Sequence, residues 1–105
     1  MVKQIGPEEL KDLLDSQELL LLDVRETYEV DHCRIEGSTN LPLGQIREAE
    51  QKFDKKTPIV VHCHHGPRSM MAAQVLMSLG FEDVTNLEGG IEGWSVSVDP
   101  SVPRY

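Results

Sequence analysis

The chain has 105 residues, of which 39% are hydrophobic and 27% are charged, and this composition is typical of one compact globular domain. Eighteen acidic side chains against ten basic ones give a net charge of −8. Such a surface repels phosphate backbones and anionic lipid, so we expect neither nucleic acid nor a membrane as a partner.

The cysteine content and the hydropathy pattern predict a cytoplasmic location. Cys33 and Cys63 are the two cysteines, and their surroundings do not resemble the disulfide framework of a small secreted domain. Residues 1–10 lack the apolar stretch of a signal peptide. The leucine run at 19–22 is far too short to cross a bilayer.

Helices and strands are predicted to alternate along the first half of the chain. Pro7 suits the first turn of a helix, since its missing N–H has no partner there. The run 19–24 is apolar except for the charge at Asp23 and is typical of a strand buried on both faces. Residues 35–42 predict a short strand between turns. The polar stretch 45–53 predicts a further helix, and a turn follows at 55–58.

The same alternation continues to the end of the chain. Residues 59–61 predict a second buried strand, a helix follows from Pro67 to Leu79, and Gly80 is a natural C′ residue. A third strand is expected at 84–87 and a single helical turn at 91–94, whereas two prolines predict an irregular tail over 95–105. We therefore expect a single α/β domain over 1–105, with its core at about 5–94 and a mainly parallel sheet flanked by helices.

The six residues 63–68 carry most of the functional information. Cys63 follows a predicted strand and precedes a predicted helix, where unpaired N–H groups and the positive end of the helix dipole favour a thiolate. The thiolate is the nucleophilic form. Gly66 permits the positive φ that turns N–H groups inward, and Arg68 adds a fixed positive charge. The loop is therefore predicted to hold an anionic group built on sulfur.

Other interpretations of this loop are possible. A free cysteine is often a buried structural residue. The run 62–65 also contains three histidines, but consecutive side chains cannot easily converge on one tetrahedral ion, so we expect no metal. His64 and His65 are more simply loop side chains at the pocket rim, where either could steer an anionic substrate or donate a proton.

Four sequence blocks occur together in a recognisable order. They are residues 22–26 followed by Glu29, residues 37–42, the loop 63–69, and residues 87–90 with Trp94. In this combination the chain resembles the rhodanese-like sulfurtransferase family, in particular its single-domain members, from about residue 5 to 94. The resemblance implies the fold expected above, and an enzyme that needs no organic cofactor and no metal.

The resemblance also implies a mechanism and the residues that perform it. Cys63 would take a sulfane sulfur from a small anionic donor such as thiosulfate and become a persulfide. A thiophilic acceptor, cyanide in an assay and a thiol or protein in the cell, would then remove that sulfur. Binding of the substrate is assigned to the remaining loop residues, which are His64, His65, Gly66, Pro67, Arg68 and Ser69.

Several supporting residues have alternative roles. Arg68 is expected to orient the donor, or instead to pair with a carboxylate at the helix start. Asp23 and Arg25 are expected to hold the loops near the pocket by hydrogen bonds, and Trp94 to be a core or rim anchor. Cys33 is expected to be an idle buried thiol, the alternative being a thiol that resolves the Cys63 persulfide.

Two rival functions remain open. The His62-Cys63 pair followed by an arginine is similar to the loop of cysteine phosphatases and arsenate reductases. Those loops hold five residues between the cysteine and the arginine, whereas this one holds four and suits a smaller target. The other rival is a non-catalytic binding or sulfur-carrier module, against which the retained Cys63 argues. The oligomeric state is open, with a monomer favoured.

Overall fold

The computed structural model describes residues 2–105. Its strands are β1 (Lys3–Ile5), β2 (Leu20–Asp23), β3 (Thr39–Asn40), β4 (Ile59–His62) and β5 (Val84–Leu87). Its helices are α1 (Pro7–Ser16), α2 (Thr27–His32), α3 (Ala49–Lys52), α4 (Pro67–Ser78) and α5 (Gly90–Ser97), with a 3-10 helix (Leu43–Glu48) before α3. The strands form one sheet in the order β1-β5-β4-β2-β3, and all neighbouring pairs are parallel. The predicted α/β class with a parallel sheet is confirmed.

The sheet separates two apolar clusters. Because successive side chains of a strand point to opposite faces, Leu22 and Val61 pack into one cluster and Leu21 and Val60 into the other. The first cluster is completed by α4 and the 3-10 helix, and the second by α1 and α5. Trp94 lies in the second cluster and is 7% exposed, as expected of a core anchor. Helices thus cover both faces, which is why β2 and β4 are nearly continuous apolar runs.

The strand order decides where the reactive loop lies. β4 is the central strand, and its last residue, His62, is in register with Asp23 at the end of β2. Since all strands are parallel, the loops that leave their carboxyl ends gather along one edge of the sheet. Residues 63–66 therefore emerge beside residues 24–26 and beside the connection that leads into α5.

The structure contains two elements that the sequence patterns did not predict. β1 is three residues long and pairs only with β5, so it shows no useful periodicity. α2 has six residues and no apolar stripe. Its start is fixed by a capping box in which the Glu26 N–H donates to Glu29 Oε1 at 3.0 Å.

Two predicted helices differ between the prediction and the structure, the first in its geometry and the second in its bounds. The segment predicted as one helix over 45–53 is divided between the end of a 3-10 helix (Leu43–Glu48) and the four-residue α3. Leu43, Ile46 and Ala49 all face the core, and their spacing of three matches a helix with three residues per turn.

The prediction of a single turn at 91–94 with an irregular chain from Ser95 was wrong, because α5 continues to Ser97. The buried Ser95 hydroxyl donates to the Val102 carbonyl at 2.6 Å, and Pro100 lies beyond the end of the helix, where it does not interrupt it. Within residues 2–105, no helix combines the length and the apolar character that a membrane span requires.

Candidate active site

Cys63 lies at the bottom of a short loop between β4 and α4. Its side chain is buried, with 1% exposure, and Sγ accepts a hydrogen bond of 3.1 Å from the Gly66 N–H. Gly66 has φ of 144°, a value that side-chain-bearing residues avoid. The predicted positive φ is thus confirmed, and its effect is to turn a backbone donor back onto the sulfur.

The start of α4 anchors the other end of the loop. Pro67 is the first residue of the helix, and the Met70 N–H donates to the Gly66 carbonyl at 2.9 Å. The buried Ser69 hydroxyl lies 2.5 Å from Asn86 Oδ1 on β5 and 3.0 Å from the Gly66 carbonyl oxygen. The Ser69 side chain therefore fastens the loop to the sheet and does not point its hydroxyl at an incoming ligand.

Arg68 forms a bidentate ion pair with Glu29 of α2. Nη1 donates to Oε1 at 2.6 Å and Nη2 to Oε2 at 2.9 Å. This pairing lowers the pKa of Glu29 to about 2 and raises the pKa of Arg68. A carboxylate partner was the alternative that the sequence left open for Arg68, but the partner comes from a helix that the sequence did not predict.

The Glu29 carboxylate is fully used as an acceptor. It takes four hydrogen bonds, two from Arg68, one from the Tyr105 hydroxyl at 2.8 Å and one from the Glu26 N–H. Four is about the number of lone-pair sites that a carboxylate has. Glu29 is only 7% exposed, so its charge acts mainly on these partners.

Tyr105 closes this network from the far end of the sequence. Its hydroxyl donates to Glu29 and accepts from Arg25 Nη1 at 2.8 Å. Its ring stacks on the His64 ring with centroids 3.9 Å apart and planes 7° apart. Burial raises the pKa of Tyr105 to about 12, so the phenol stays protonated and can donate. The sequence patterns placed Tyr105 only within the irregular tail predicted over 95–105, and a lone tyrosine near two prolines gives no signal of this role.

The histidines around Cys63 have different environments. His62 is fully buried with Nε2 3.8 Å from Asp23 Oδ2, and burial lowers its pKa and favours the neutral ring. Burial likewise lowers the pKa of His64, whose Nε2 has no partner among the described residues. His65 is exposed and its ring lies 4.0 Å from that of His64. Across residues 2–105, no three His, Cys, Asp or Glu side chains gather as a metal site.

Asp23 and Arg25 form a completely buried ion pair. Arg25 Nη2 donates to Asp23 Oδ2 and to the Cys33 carbonyl, each at 2.7 Å, and both side chains are 0% exposed. Asn40 donates to the carbonyls of residues 23 and 25 at 2.9 and 3.0 Å. Asp23 and Arg25 therefore have the structural role expected of them, because their hydrogen bonds connect the chain segments around residues 23–25, 33 and 40 beneath Tyr105.

The beginning of α5 supports the loop from a third side, which the sequence patterns did not reveal. The N–H groups of Ile91 and Glu92 donate to the carbonyls of Cys63 and His64 at 2.9 and 3.1 Å. This approach requires Gly90, because a Cβ there would lie 2.4 Å from the His64 carbonyl oxygen. The adjacent pair Gly89 and Gly90 was the available signal, since paired glycines often permit close backbone contact.

Cys33 is in a different part of the core. It belongs to the cluster on the α1 and α5 side of the sheet, whereas Cys63 belongs to the cluster on the α4 side. Both cysteines are free. This separation supports the interpretation of Cys33 as a buried core thiol.

A cleft of about 470 Å³ lies at the opposite edge of the sheet, around Lys3, Pro58 and Asp83. These residues precede or begin strands, so the cleft is at their amino ends, away from Cys63. Its size does not make it the reactive site, because the described residues that line it include no cysteine.

Comparison with known proteins gives consistent matches over this region. The family model described as the rhodanese-like domain matches residues 6–97. The thiosulfate sulfurtransferase GlpE of Coxiella burnetii is 36% identical over 96 residues, 90% of this chain and 88% of that protein. A rhodanese-like domain protein from Staphylococcus aureus superposes with a TM-score of 0.84 at 28% identity over 99% of both chains. The human single domain sulfurtransferase TSTD1 superposes with a TM-score of 0.85 at 26% identity, over 92% of this chain and 98% of that one.

Proposed function

This chain belongs to the rhodanese-like domain family, and on that premise we propose that it is a sulfurtransferase that carries the transferred sulfur on Cys63. The single observation that carries the proposal is the Gly66 N–H directed at Cys63 Sγ at 3.1 Å. That donor stabilises a negative charge on sulfur without giving up its proton. The relatives named above support a rhodanese-type enzyme, and the site suggests how it works.

In the first half-reaction, the Cys63 thiolate attacks the outer sulfur of a donor such as thiosulfate. A sulfur–sulfur bond forms at Cys63, the sulfur–sulfur bond of thiosulfate breaks, and sulfite leaves with the bonding electron pair. The product is a persulfide whose terminal sulfur carries the negative charge. Covalent catalysis of this kind replaces one direct transfer by two easier steps.

In the second half-reaction, a nucleophilic acceptor attacks the terminal sulfur. With cyanide, a carbon–sulfur bond forms, the persulfide bond breaks, thiocyanate leaves and the Cys63 thiolate is restored. With a thiol acceptor in the cell, the product is a new persulfide on that acceptor. Both cysteines are free, and we propose the reducing cytoplasm as the setting that keeps them so.

The loop would bind the donor mainly through its backbone. The N–H groups of residues 64–66, 68 and 69 would face the bound sulfur, whereas Pro67 lacks an N–H and contributes a fixed φ. Two of the five N–H groups of Arg68 donate to Glu29, which leaves the others to bind an anionic sulfur donor such as thiosulfate. His64 and His65 would form the rim beside these groups.

Loop size favours sulfur transfer over phosphatase chemistry. Four residues separate Cys63 from Arg68, one fewer than in the phosphatase loop. In addition, the Gly66 N–H already donates a hydrogen bond to the Cys63 sulfur. Such a loop can enclose a single added sulfur atom more closely than a tetrahedral phosphoryl group with its three equatorial oxygens. Hydrolysis of an aryl phosphate by the wild type, lost in Cys63→Ser, would favour the phosphatase instead.

Intact-protein mass spectrometry tests the proposal directly. The wild type is exposed briefly to thiosulfate and then to cyanide, with Cys63→Ser and Cys33→Ser as matched variants. We expect a gain of one sulfur atom that cyanide removes, present in the wild type and in Cys33→Ser and absent in Cys63→Ser. No gain in any form would instead favour the non-catalytic binding or sulfur-carrier module.

A further inference from the structure

Residues 99–105, here named the strap, leave α5 and return to the reactive loop. The strap is attached at several points. Val102 is buried beside Trp94 in the second cluster, and its carbonyl accepts the hydroxyl of Ser95 at 2.6 Å. Arg104 pairs with Glu92 of α5, with Nη2 and Nε at 2.5 and 2.9 Å from Oε2. The strap therefore holds a defined course over the surface.

The strap ends with Tyr105 against both ends of the loop. The tyrosine ring lies flat on His64, the residue that follows Cys63. Its hydroxyl binds the Glu29 carboxylate, and that carboxylate clamps Arg68 at the other end of the loop. One side chain thus connects the start of the loop to its end, although Tyr105 itself remains 42% exposed.

The nucleophile beneath this arrangement is nearly inaccessible. Cys63 is 1% exposed, yet both half-reactions require a reagent to reach its sulfur. Thiosulfate and cyanide need a much smaller opening to reach that sulfur than a peptide-sized thiol does. The aromatic stack of Tyr105 on His64 covers the residue next to Cys63, where an approaching reagent would meet it.

We propose that Tyr105 is a specificity-determining residue, which in its bound position admits small sulfur donors and acceptors to Cys63 and excludes bulky ones until the strap lifts. The proposal about acceptors rests on the sulfurtransferase function proposed above. The statement about access to the Cys63 thiol stands independently of that function, and it can be tested without any sulfur transfer.

The attachments of Tyr105 are of a kind that can open. The ring makes two hydrogen bonds, a stack on His64, an edge contact with His32 at 5.5 Å and a contact with the Arg25 guanidinium at 5.7 Å, and it is nevertheless 42% exposed. The Arg104–Glu92 pair is largely exposed on the arginine side, at 65%. The buried Val102 can remain in place as a hinge point while residues 103–105 move. Lifting the ring also frees the Arg68–Glu29 pair from one of its neighbours.

Alkylation of Cys63 by reagents of two sizes tests the proposal. Small N-ethylmaleimide and a maleimide with a bulky N-substituent are compared on the wild type, Tyr105→Ala and the control Tyr28→Ala, with peptide mapping to assign Cys63. Tyr28 is a 74% exposed tyrosine on α2, so its removal deletes a similar ring at the surface. The ratio of the two rates cancels any change in the nucleophilicity of the sulfur.

We expect Tyr105→Ala to raise the bulky-to-small rate ratio by about thirtyfold, the factor that corresponds to two hydrogen bonds of ordinary strength that no longer have to open, and Tyr28→Ala to leave the ratio unchanged. An unchanged ratio in folded Tyr105→Ala would overturn the proposal and leave the strap as a structural clamp. Should Tyr105→Ala fail to fold, Arg104→Ala weakens the strap while it retains the ring, and it should raise the ratio by a smaller factor; no rise in that variant would also overturn the proposal.

Sulfur transfer provides the second readout. If the proposed function is correct, Tyr105→Ala should gain activity with glutathione as acceptor relative to cyanide. If the wild type takes up no sulfur from thiosulfate, the proposed function fails, but the alkylation ratio still decides the role of Tyr105. The two failures are therefore distinguishable.

Discussion

Glu29 illustrates how one residue can organise a reactive loop without touching the reacting atom. Its carboxylate joins Arg68, Tyr105 and the start of α2 through four hydrogen bonds. Bonds to a charged acceptor are stronger than neutral ones, and their loss leaves buried donors unsatisfied. Glu29 is therefore a positioning residue for the loop.

Replacing Glu29 by glutamine should make stability less dependent on pH in acid. The carboxyl has a pKa of about 2 in the folded chain against an ordinary value of 4.5, so its stabilisation is complete above about pH 4.5 and is lost as the pH falls toward 2. We expect Glu29→Gln to lower the free energy of unfolding by about 2 kcal/mol near neutral pH, and the difference from wild type to shrink in acid.

Urea unfolding of both proteins near neutral pH and at about pH 3 measures this linkage. Glu18→Gln, at an exposed position before β2, is the matched control and should differ little from wild type at either pH. A difference between wild type and Glu29→Gln that stays constant with pH would show that the ionisation of Glu29 is not coupled to folding.

At the scale of elements, three secondary structures hold the loop in one conformation. β4 delivers Cys63 to the edge of the sheet, α4 fixes the carbonyl of Gly66, and α5 donates to the carbonyls of Cys63 and His64. Parallel strands with helical crossovers place all three at the same edge. The loop is thus supported by rigid elements, as a precisely oriented nucleophile requires.

Gly90→Ala should disable the site more than it disrupts the fold. The new Cβ would meet the His64 carbonyl oxygen at 2.4 Å, and φ of 59° at this position is unfavourable for alanine, at about 1–2 kcal/mol. The loop must shift, so we expect the rate of sulfur uptake from thiosulfate to fall by at least about tenfold. Gly44→Ala, where a Cβ meets nothing within 4 Å, should retain the wild-type rate, and equal rates in the two variants would contradict this account.

Across the whole molecule, the contribution of an ion pair to stability depends on how deeply the pair is buried. The Asp23–Arg25 pair is 0% exposed on both sides, whereas the Lys3–Asp83 pair is 65% and 43% exposed. Water screens the exposed pair, but removing one partner of the buried pair leaves an uncompensated charge in the core. Since Arg25 also binds Cys33 and Tyr105, its loss affects both the second cluster and the strap.

Arg25→Ala should therefore be strongly destabilising. We expect a loss of about 3–5 kcal/mol in the free energy of unfolding, against less than about 1 kcal/mol for Lys3→Ala, both measured by urea denaturation at neutral pH. Similar values for the two variants would mean that the cluster around Arg25 relaxes and admits water.

Much of the fold could be predicted because its signals are local. The apolar runs that became β2 and β4 and the helix from Pro67 to Ser78 are read from neighbouring residues. The elements that were missed lack such signals, since β1 has three residues and α2 has six. The bounds of α5 were wrong because the Ser95–Val102 contact, which supports its last turn, joins residues seven positions apart.

The sequence by itself determined the α/β class, the placement of Cys63 between a buried strand and a helix, and the need for glycine at position 66, since each depends on residues adjacent in the chain. Tertiary structure decided which side chains surround the thiol. Arg68 meets Glu29 across 39 positions, and Tyr105 meets Glu29 across 76. Such pairings depend on the strand order and on the path by which the strap returns over α5. Hydrophobic periodicity carries no information about either, because it shows which face of an element is buried and not which distant residue a side chain contacts.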